Sequence, residues 1–249
     1  MKKMKLAVAF AALVSAFTFS SCLNGGDSGP SQGQWIVNID DNYMGTKLSP
    51  DGIPGVVWNP NAASLSAYGI KEGSKRALIT YTIPEGQDIT ETSKSLNISL
   101  VAGGCAGISI AEISNQPDTF ATKGYTSSVT RFSPFLNGVP AVYTNGRYLM
   151  INCLYQANKL ANVGLAVNRV SAAKDTLYLD LKTKIESGSQ QGYTFYSTNY
   201  DLESYHEFYN LIPSNKTKDS IYVTVRTSVS DYGQSKMDSL TTKAKFYNR

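Results

Sequence analysis

The side chains most capable of chemistry lie together in one short segment, residues 201–207 (DLESYHE). His206 is the only histidine of the chain, so any Ser-His-Asp triad would need it, and no G-x-S-x-G sequence occurs. A metal site in this segment would offer one imidazole beside carboxylates, whereas zinc sites usually take several His or Cys ligands. The alternative is a short helical turn over residues 202–210, capped by Asp201, with solvated charges. We favour the helical turn and expect no metal ion here.

The rest of the sequence contains no recognised catalytic motif. A Walker loop, a dinucleotide-binding fingerprint and an EF-hand loop do not occur. Hydrolysis of a glycosidic bond needs two carboxylates across a cleft, and no motif singles out a pair among the 19 acidic residues. We therefore expect a protein without catalytic residues or cofactor. A hydrolase of envelope polysaccharide is the remote alternative.

The N-terminus has the pattern of a secretory signal. Three lysines among the first five residues precede a mostly apolar stretch, residues 6–19, which is shorter than the about 20 residues that a bilayer-spanning helix needs. The following Ser20-Ser21-Cys22 resembles the lipobox of bacterial lipoproteins, in which the cysteine becomes the first residue of the mature chain and is acylated through its thiol. We predict a signal peptide over 1–21, lipidation of Cys22 and a flexible tether over 22–33. An ordinary secretory signal is the alternative.

The charge balance changes when this signal is removed. The full chain carries +4, and loss of the three N-terminal lysines leaves 23 − 3 = 20 cations against 19 anions. A near-neutral mature chain argues against a nucleic-acid partner. By the general sorting pattern of lipoproteins, Leu23 directly after Cys22 favours the outer membrane. Asp27 is the one acidic residue of the tether, which favours the periplasmic side over the cell surface.

From residue 34 onward the hydrophobic residues recur with period two. Leu96, Ile98 and Leu100 alternate with polar residues, and the pattern returns at 177–181 and 221–225. About a dozen such short strands without a long helical period indicate an all-β chain. The Asn-Gln-Pro-Asp sequence at 115–118 interrupts the strands, so we expect one domain over 34–118 and a second over 119–249.

Several strand segments resemble those of the NigD-like lipoproteins of Bacteroidetes. The resemblance rests on residues 73–83 (GSKRALITYTI), 147–155 (RYLMINCLY), 175–182, 200–202 and 219–226. It implies an N-terminal OB-type β-barrel followed by a C-terminal β-sandwich. Through the bacteriocin operon after which the family is named, it also suggests immunity to, or protection from, a secreted antibacterial protein.

Aromatic residues are concentrated in one stretch of the second domain. Seven occur within residues 193–209, and strand alternation cannot turn all of them inward. Exposed tyrosines stack on sugars and anchor protein interfaces, so this stretch is a candidate binding surface for an envelope protein or a glycan. The alternative is that the rings pack along the sandwich or between the domains. We expect a membrane-anchored, non-catalytic binding or scaffold protein. The candidate residues are Tyr193, Tyr196, Tyr200, Tyr205 and Tyr209.

Two smaller sets of residues are candidates for covalent modification, one for O-glycosylation and one for a disulfide. Three Asp-Ser/Thr-apolar triplets resemble the O-glycosylation motif of Bacteroidetes and mark Thr176, Ser220 and Ser239 as candidate acceptors, although Asp-Ser is also ordinary turn chemistry before a strand. Cys105 and Cys153 could form a disulfide outside the cytoplasm. Their positions in different domains favour two shielded thiols instead.

Overall fold

The fold is known from a computed structural model. It divides between Ser109 and Ile110 into two compact units, each described here by itself. Strands make up nearly all of the regular structure. Within the described residues, no helix is long and apolar enough to cross a membrane. The structure describes residues 32–42, 45–53, 55–87, 93–115, 122–125, 129, 131–134, 140–156, 160–185, 193–205, 207–211, 220–231 and 234–245.

The first unit is a closed five-stranded barrel. Its strands pair in the order β1-β2-β3-β5-β4, and β4 returns to pair with β1, which closes the ring. β3 and β5 run parallel, and the other neighbours in the ring are antiparallel. This arrangement confirms the predicted OB-type barrel. The strands are β1 (Gln32–Asn42), β2 (Gly45–Pro50), β3 (Val57–Pro60), β4 (Arg76–Thr82), β5 (Ser95–Leu100) and the short β6 (Ala106–Gly107), which pairs with β4.

Aromatic side chains fill the centre of the barrel. The ring of Trp58 lies 6.3 Å from that of Trp35 and 4.6 Å from that of Tyr81, measured between centroids. The alternating apolar residues of β5 point into the same core, as their period predicts. Burial raises the pKa of the Tyr81 hydroxyl to about 12.

A buried ion pair connects the strands of the barrel. Nη2 of Arg76, the first residue of β4, donates to Oδ2 of Asp51 at 2.6 Å, and both side chains are fully buried. Nη1 of Arg76 donates to the side-chain oxygen of Asn38 on β1. The carbonyl of Asp51 accepts a 2.8 Å hydrogen bond from the indole of Trp35. Each charge is therefore compensated, as an apolar interior requires.

Where β4 and β5 diverge, a side chain replaces backbone pairing. The two strands pair only at Tyr81–Leu100 and Thr82–Ser99. Beyond that point, the Gln87 amide donates to the carbonyl of Asn97 at 2.7 Å and accepts from its N–H at 2.8 Å. Gln87 therefore satisfies backbone groups of β5 that β4 no longer reaches.

The second unit consists of two sheets. One has the order β7-β13-β10-β8, with β9 also paired to β10, and the other has the order β11-β12-β14-β15. β12 runs parallel to β14, and β7 runs parallel to β13. The strands are β7 (Ala111–Glu112), β8 (Arg131–Phe132), β9 (Val142–Asn145), β10 (Tyr148–Gln156), β11 (Leu160–Val170), β12 (Thr176–Ile185), β13 (Tyr193–Asp201), β14 (Ser220–Asp231) and β15 (Gln234–Lys245).

Both sheets contribute to one hydrophobic core, so this unit is a β-sandwich, as the resemblance implied. The period-two residues of β12 and β14 all point inward, because alternate side chains of a strand share one face. Their counterparts come from β10. The central residues of the core are Leu149, Ile151 and Cys153 of β10, Leu177, Leu179 and Leu181 of β12, and Ile221, Val223 and Val225 of β14.

The boundary between the units lies before the position expected at 118/119. β7 pairs with β13, and Ile113 is buried in the sandwich core. The N–H of Ser114 donates to the carbonyl of Leu165 at 2.8 Å, and the N–H of Val167 donates to the carbonyl of Ser114 at 2.9 Å. The residues directly after Ser109 therefore belong to the second unit, where their hydrogen bonds and apolar contacts are made.

The buried ion pair makes the first testable prediction. Asp51→Ala leaves the Arg76 guanidinium charged and without its carboxylate, which we expect to lower the free energy of unfolding of the barrel by about 3–5 kcal/mol. Both tryptophans of the chain lie in the barrel core, so tryptophan fluorescence during urea denaturation reports this unit alone.

Asp40→Ala is the matched control, because Asp40 is an exposed residue of β1. We expect its effect to stay within about 0.5 kcal/mol. Equal midpoints for the Asp51 and Asp40 variants would show that the ion pair does not stabilise the barrel.

Candidate functional site

Two of the three acidic side chains in the 201–207 segment are held by an arginine. Nε of Arg147 donates to Oδ1 of Asp201 at 2.9 Å, and its Nη1 donates to Oε2 of Glu203 at 2.5 Å. Nη2 donates to Oδ2 of Asp201, which makes that pair bidentate. The hydrogen bond to Asp201 is the main cause that raises the pKa of Arg147 above its usual value. The guanidinium stays charged and binds both carboxylates.

The same segment terminates β13. Oδ1 of Asp201 accepts the N–H of Glu203 at 3.0 Å and so caps a 3-10 helix, Leu202–Ser204. The Ser204 hydroxyl donates to the carbonyl of Asp201 at 2.6 Å and accepts the N–H of Ile113 at 2.9 Å. A second 3-10 helix, Phe208–Leu211, follows. The structure thus places two short helices, the first capped by Asp201, where one turn was expected.

The geometry gives these carboxylates a stabilising role. Within the described ranges, which leave out His206, no group of three or more His, Cys, Asp or Glu side chains could hold a metal ion. Sequence reasoning missed Arg147 because it is 54 residues away from Asp201 along the chain. Only the register of β10 and β13, with Tyr148 opposite Asp201, brings the two together.

The aromatic stretch is mainly internal where the structure describes it. Tyr200 is completely buried, and its hydroxyl donates to the carbonyl of Val163 on β11 at 2.9 Å. Tyr205 is 5% exposed, and its hydroxyl donates to Oε2 of Glu207 at 3.2 Å. Tyr196 is partly buried against the sandwich core. The expectation of an exposed surface is therefore wrong for Tyr200 and Tyr205.

The side chains of Tyr193 and Tyr209 lie outside the described set, so their part in a binding surface stays a prediction. Cys22 precedes the described residues as well, and its lipidation also stays a prediction.

Neither described cysteine forms a disulfide. Cys105 of the barrel and Cys153 of the sandwich are both free thiols. Sγ of Cys105 lies 3.6 Å from the carbonyl oxygen of Val101. Burial raises the pKa of the Cys153 thiol to about 12, so this thiol stays protonated at neutral pH.

The three candidate glycosylation sites differ in exposure. Thr176 begins β12 and is half-buried, with its hydroxyl 3.1 Å from Oδ1 of Asp175. Ser220 begins β14 and is 7% exposed, which leaves little room for a glycan in the folded chain. Ser239 is exposed within β15. Modification stays a prediction, and Ser239 is the most accessible acceptor.

The outer face of the four-stranded sheet carries a surface that the sequence analysis did not single out. We call it the basic face and define it by Arg169, Tyr178, Lys182, Lys184, Tyr222 and Lys243, contributed by all of the sheet's strands. The four basic residues of this set are exposed. The signal was available: the polar positions that alternate with the leucines of β12 must point away from the core.

Contacts on the basic face order its aromatic rings. The guanidinium of Arg169 lies 4.5 Å from the centroid of the Tyr178 ring. Tyr222 is opposite Lys243 in the register of β14 and β15 and is 49% exposed. Beside them, Nη2 of Arg226 donates to Oδ1 of Asp180 at 2.8 Å, which neutralises that carboxylate.

Tyr200 makes a prediction for the sandwich. Tyr200→Phe removes the hydroxyl that binds the Val163 carbonyl, and we expect the free energy of unfolding of the sandwich to fall by about 1–2 kcal/mol. The measurement is alkylation of Cys153 during urea denaturation, in a Cys22→Ser, Cys105→Ser background, since the buried thiol reacts only after unfolding.

Tyr222→Phe serves as the control because Tyr222 is exposed on the other sheet of the same unit. Its unfolding midpoint should match that of the background chain. If Tyr200→Phe also left the midpoint unchanged, the hydrogen bond to Val163 would contribute nothing.

Comparison with known proteins finds similar folds but no similar sequences. No family model matches the chain, and no curated protein matches it in sequence. A protein of Bacteroides fragilis provisionally named a lipoprotein is 16% identical and aligns over 87% of this chain and 100% of its own, with a TM-score of 0.63. A protein of Parabacteroides distasonis provisionally named toxin-related is 16% identical over 84% of this chain and 92% of its own, with a TM-score of 0.56.

A NigD-like immunity protein of Bacteroides caccae is also similar in structure. It is 11% identical and aligns over 86% of this chain and 94% of its own, with a TM-score of 0.51. At such identities the similarity establishes the fold, and it spans both units. The chain therefore has the fold of a group of Bacteroides and Parabacteroides proteins that includes a NigD-like immunity protein, as its strand segments predicted.

Proposed function

We propose that this protein is a lipid-anchored protein of the bacterial envelope that acts by binding rather than by catalysis. The observation that carries the proposal is the fold shared with the Bacteroides fragilis protein provisionally named a lipoprotein, over its whole length. The Ser20-Ser21-Cys22 sequence of this chain supplies the matching anchor signal. Leu23 and the single acidic residue of the tether support the outer membrane, facing the periplasm.

The length of chain between the predicted anchor and the barrel limits how far the barrel's first strand lies from the membrane. β1 begins at Gln32, which is 32 − 22 = 10 residues after Cys22. A fully extended chain of that length spans at most about 35 Å. The start of β1 therefore stays within that distance of the membrane surface.

Lipidation makes the third prediction. Cells that express the chain are fed an alkyne-bearing fatty acid, and the protein is examined for incorporated label and for its membrane fraction. We expect Cys22→Ser to lose the label and to leave the membrane fraction, because acyl chains supply the anchor.

Cys105→Ser is the control for this experiment, since Cys105 is a free thiol of the folded barrel. It should keep both the label and the membrane association. A Cys22→Ser chain that still carried label would contradict the proposed anchor.

The binding role is supported by how four of the described carboxylates are used. Asp51, Asp180, Asp201 and Glu203 each pair with an arginine of the same unit. The test is a tagged copy in its native host, crosslinked in intact cells, with captured proteins identified by mass spectrometry. We expect one reproducible envelope protein, absent when the tag is carried by an unrelated lipoprotein. Recovery of the chain alone would contradict a scaffold role.

A second candidate function is immunity to a secreted antibacterial protein. It is favoured by one specific finding, the similarity to proteins named NigD-like immunity protein and toxin-related. Deletion of the gene should then sensitise the producing strain to killing by a sibling strain, and the wild-type chain should restore resistance. Equal killing of the deletion strain and its parent would count against this function.

A further inference from the structure

We propose that the basic face binds an anionic polysaccharide, one that carries carboxylate, sulfate or phosphate groups. This inference rests on the proposed binding function and deepens it, because it names the surface and the chemical class of the ligand. Three features of the basic face support it: its charge, its exposed apolar side chains, and the polar groups between them.

The basic face concentrates positive charge in a chain whose net charge is close to zero. Arg169, Lys182, Lys184 and Lys243 are exposed there, whereas the chain without its N-terminal lysines carries 20 cations against 19 anions. Among the described residues that point outward from this sheet, Asp180 is the one carboxylate, and it is bound by Arg226. The basic face therefore presents a net positive potential to any anionic polymer.

The two large apolar side chains that are most exposed in the described part of the chain lie on this side of the sheet. They are Tyr222, at 49%, and Met237, at 61%. Met237 lies opposite Ser228, which is on the outward face of β14 like Tyr222. An exposed tyrosine ring beside Lys243 offers a stacking surface for a sugar ring next to a cation for its acidic group.

The groups between the charges suit a sugar polymer better than a protein. Thr241 and Ser239 are exposed in the middle of the sheet, and the Thr241 hydroxyl lies 2.9 Å from that of the buried Thr224. A stable protein interface needs an apolar centre from which water is excluded, and the basic face has only isolated apolar residues. Tyr178 and Lys182 are four residues apart on one strand, about 13 Å, which is long enough to contact several sugar rings.

The experiment uses the mature chain with Cys22→Ser, titrated with heparin and with polygalacturonate at low ionic strength. Heparin carries sulfates and polygalacturonate carries carboxylates, while dextran is the neutral control polymer. We expect both anionic polymers to bind and dextran not to bind. Added salt should weaken the binding, because it screens exposed charges.

Substitutions then locate the site. Lys182→Glu combined with Lys243→Glu should weaken binding by about tenfold or more, because it replaces attraction by repulsion at the face. The matched control is Lys75→Glu combined with Lys94→Glu, which makes the same change of net charge at exposed lysines of the barrel. This control should change affinity by less than about twofold, since its charges are not part of the basic face. Tyr222→Ala should also weaken binding while leaving its salt dependence unchanged.

Three results would overturn the inference. The first is an equal loss of affinity in the Lys182/Lys243 variant and the Lys75/Lys94 variant. The second is that the folded chain binds neither anionic polymer. The third is crosslinking of an acidic protein to Tyr222 or Lys243 in cells. Tryptophan fluorescence and Cys153 alkylation establish that each variant is folded. The lipidation of Cys22 and the capture of proteins in cells are measured independently of these titrations. If neither polymer binds, the polysaccharide inference fails while the proposed envelope-binding function can still hold.

Discussion

The barrel depends on one buried pair of charges. Arg76 and Asp51 contact each other without access to water, and their remaining hydrogen bonds reach Asn38 and Trp35. The backbone carbonyl of Arg76 also accepts the N–H of Ile108 at 2.9 Å, next to β6. A slip of β1 or β4 by one residue would leave a charge in an apolar interior without a partner. The pair therefore specifies the register of the ring as well as contributing to its stability.

The elements that could be predicted are those whose evidence is local. The leucines of β12 alternate within five residues, so the sequence alone indicates which face is buried. The parallel pairing of β3 with β5 joins Val57 to Ser95, and no local pattern predicts such a distant contact. Asp51 looks like an ordinary turn residue before Gly52, and its burial depends on the position of Arg76, 25 residues away. The boundary was misplaced for a similar reason, because β7 is defined only by its pairing with β13.

The aromatic stretch shows why a binding surface could not be located from the sequence. Crowding predicted that some of its tyrosines reach the surface, yet Tyr196 and Tyr200 are four residues apart on one strand and so share one face. Opposite them on β10 lie Cys153 and Leu149, which are core residues, and this register turns both rings inward. Among the described tyrosines the most exposed is Tyr222, which lies between Ile221 and Val223 of a period-two strand and gave no signal of crowding.

The parallel pairing of β12 with β14 has a consequence for the order in which the chain folds. Between these neighbours the chain leaves for the opposite sheet, where it forms β13, and then returns. β7 likewise pairs only when β13 is present, some 90 residues further on, which is nearly the length of a small domain. A chain that emerges N-terminus first can close its barrel as soon as β5 appears. In the sandwich, by contrast, β10 and β12 each have an unpaired edge until β13 and β14 have emerged. Such edges can pair with other chains, so the C-terminal unit is the part of this protein that a chaperone would need to protect.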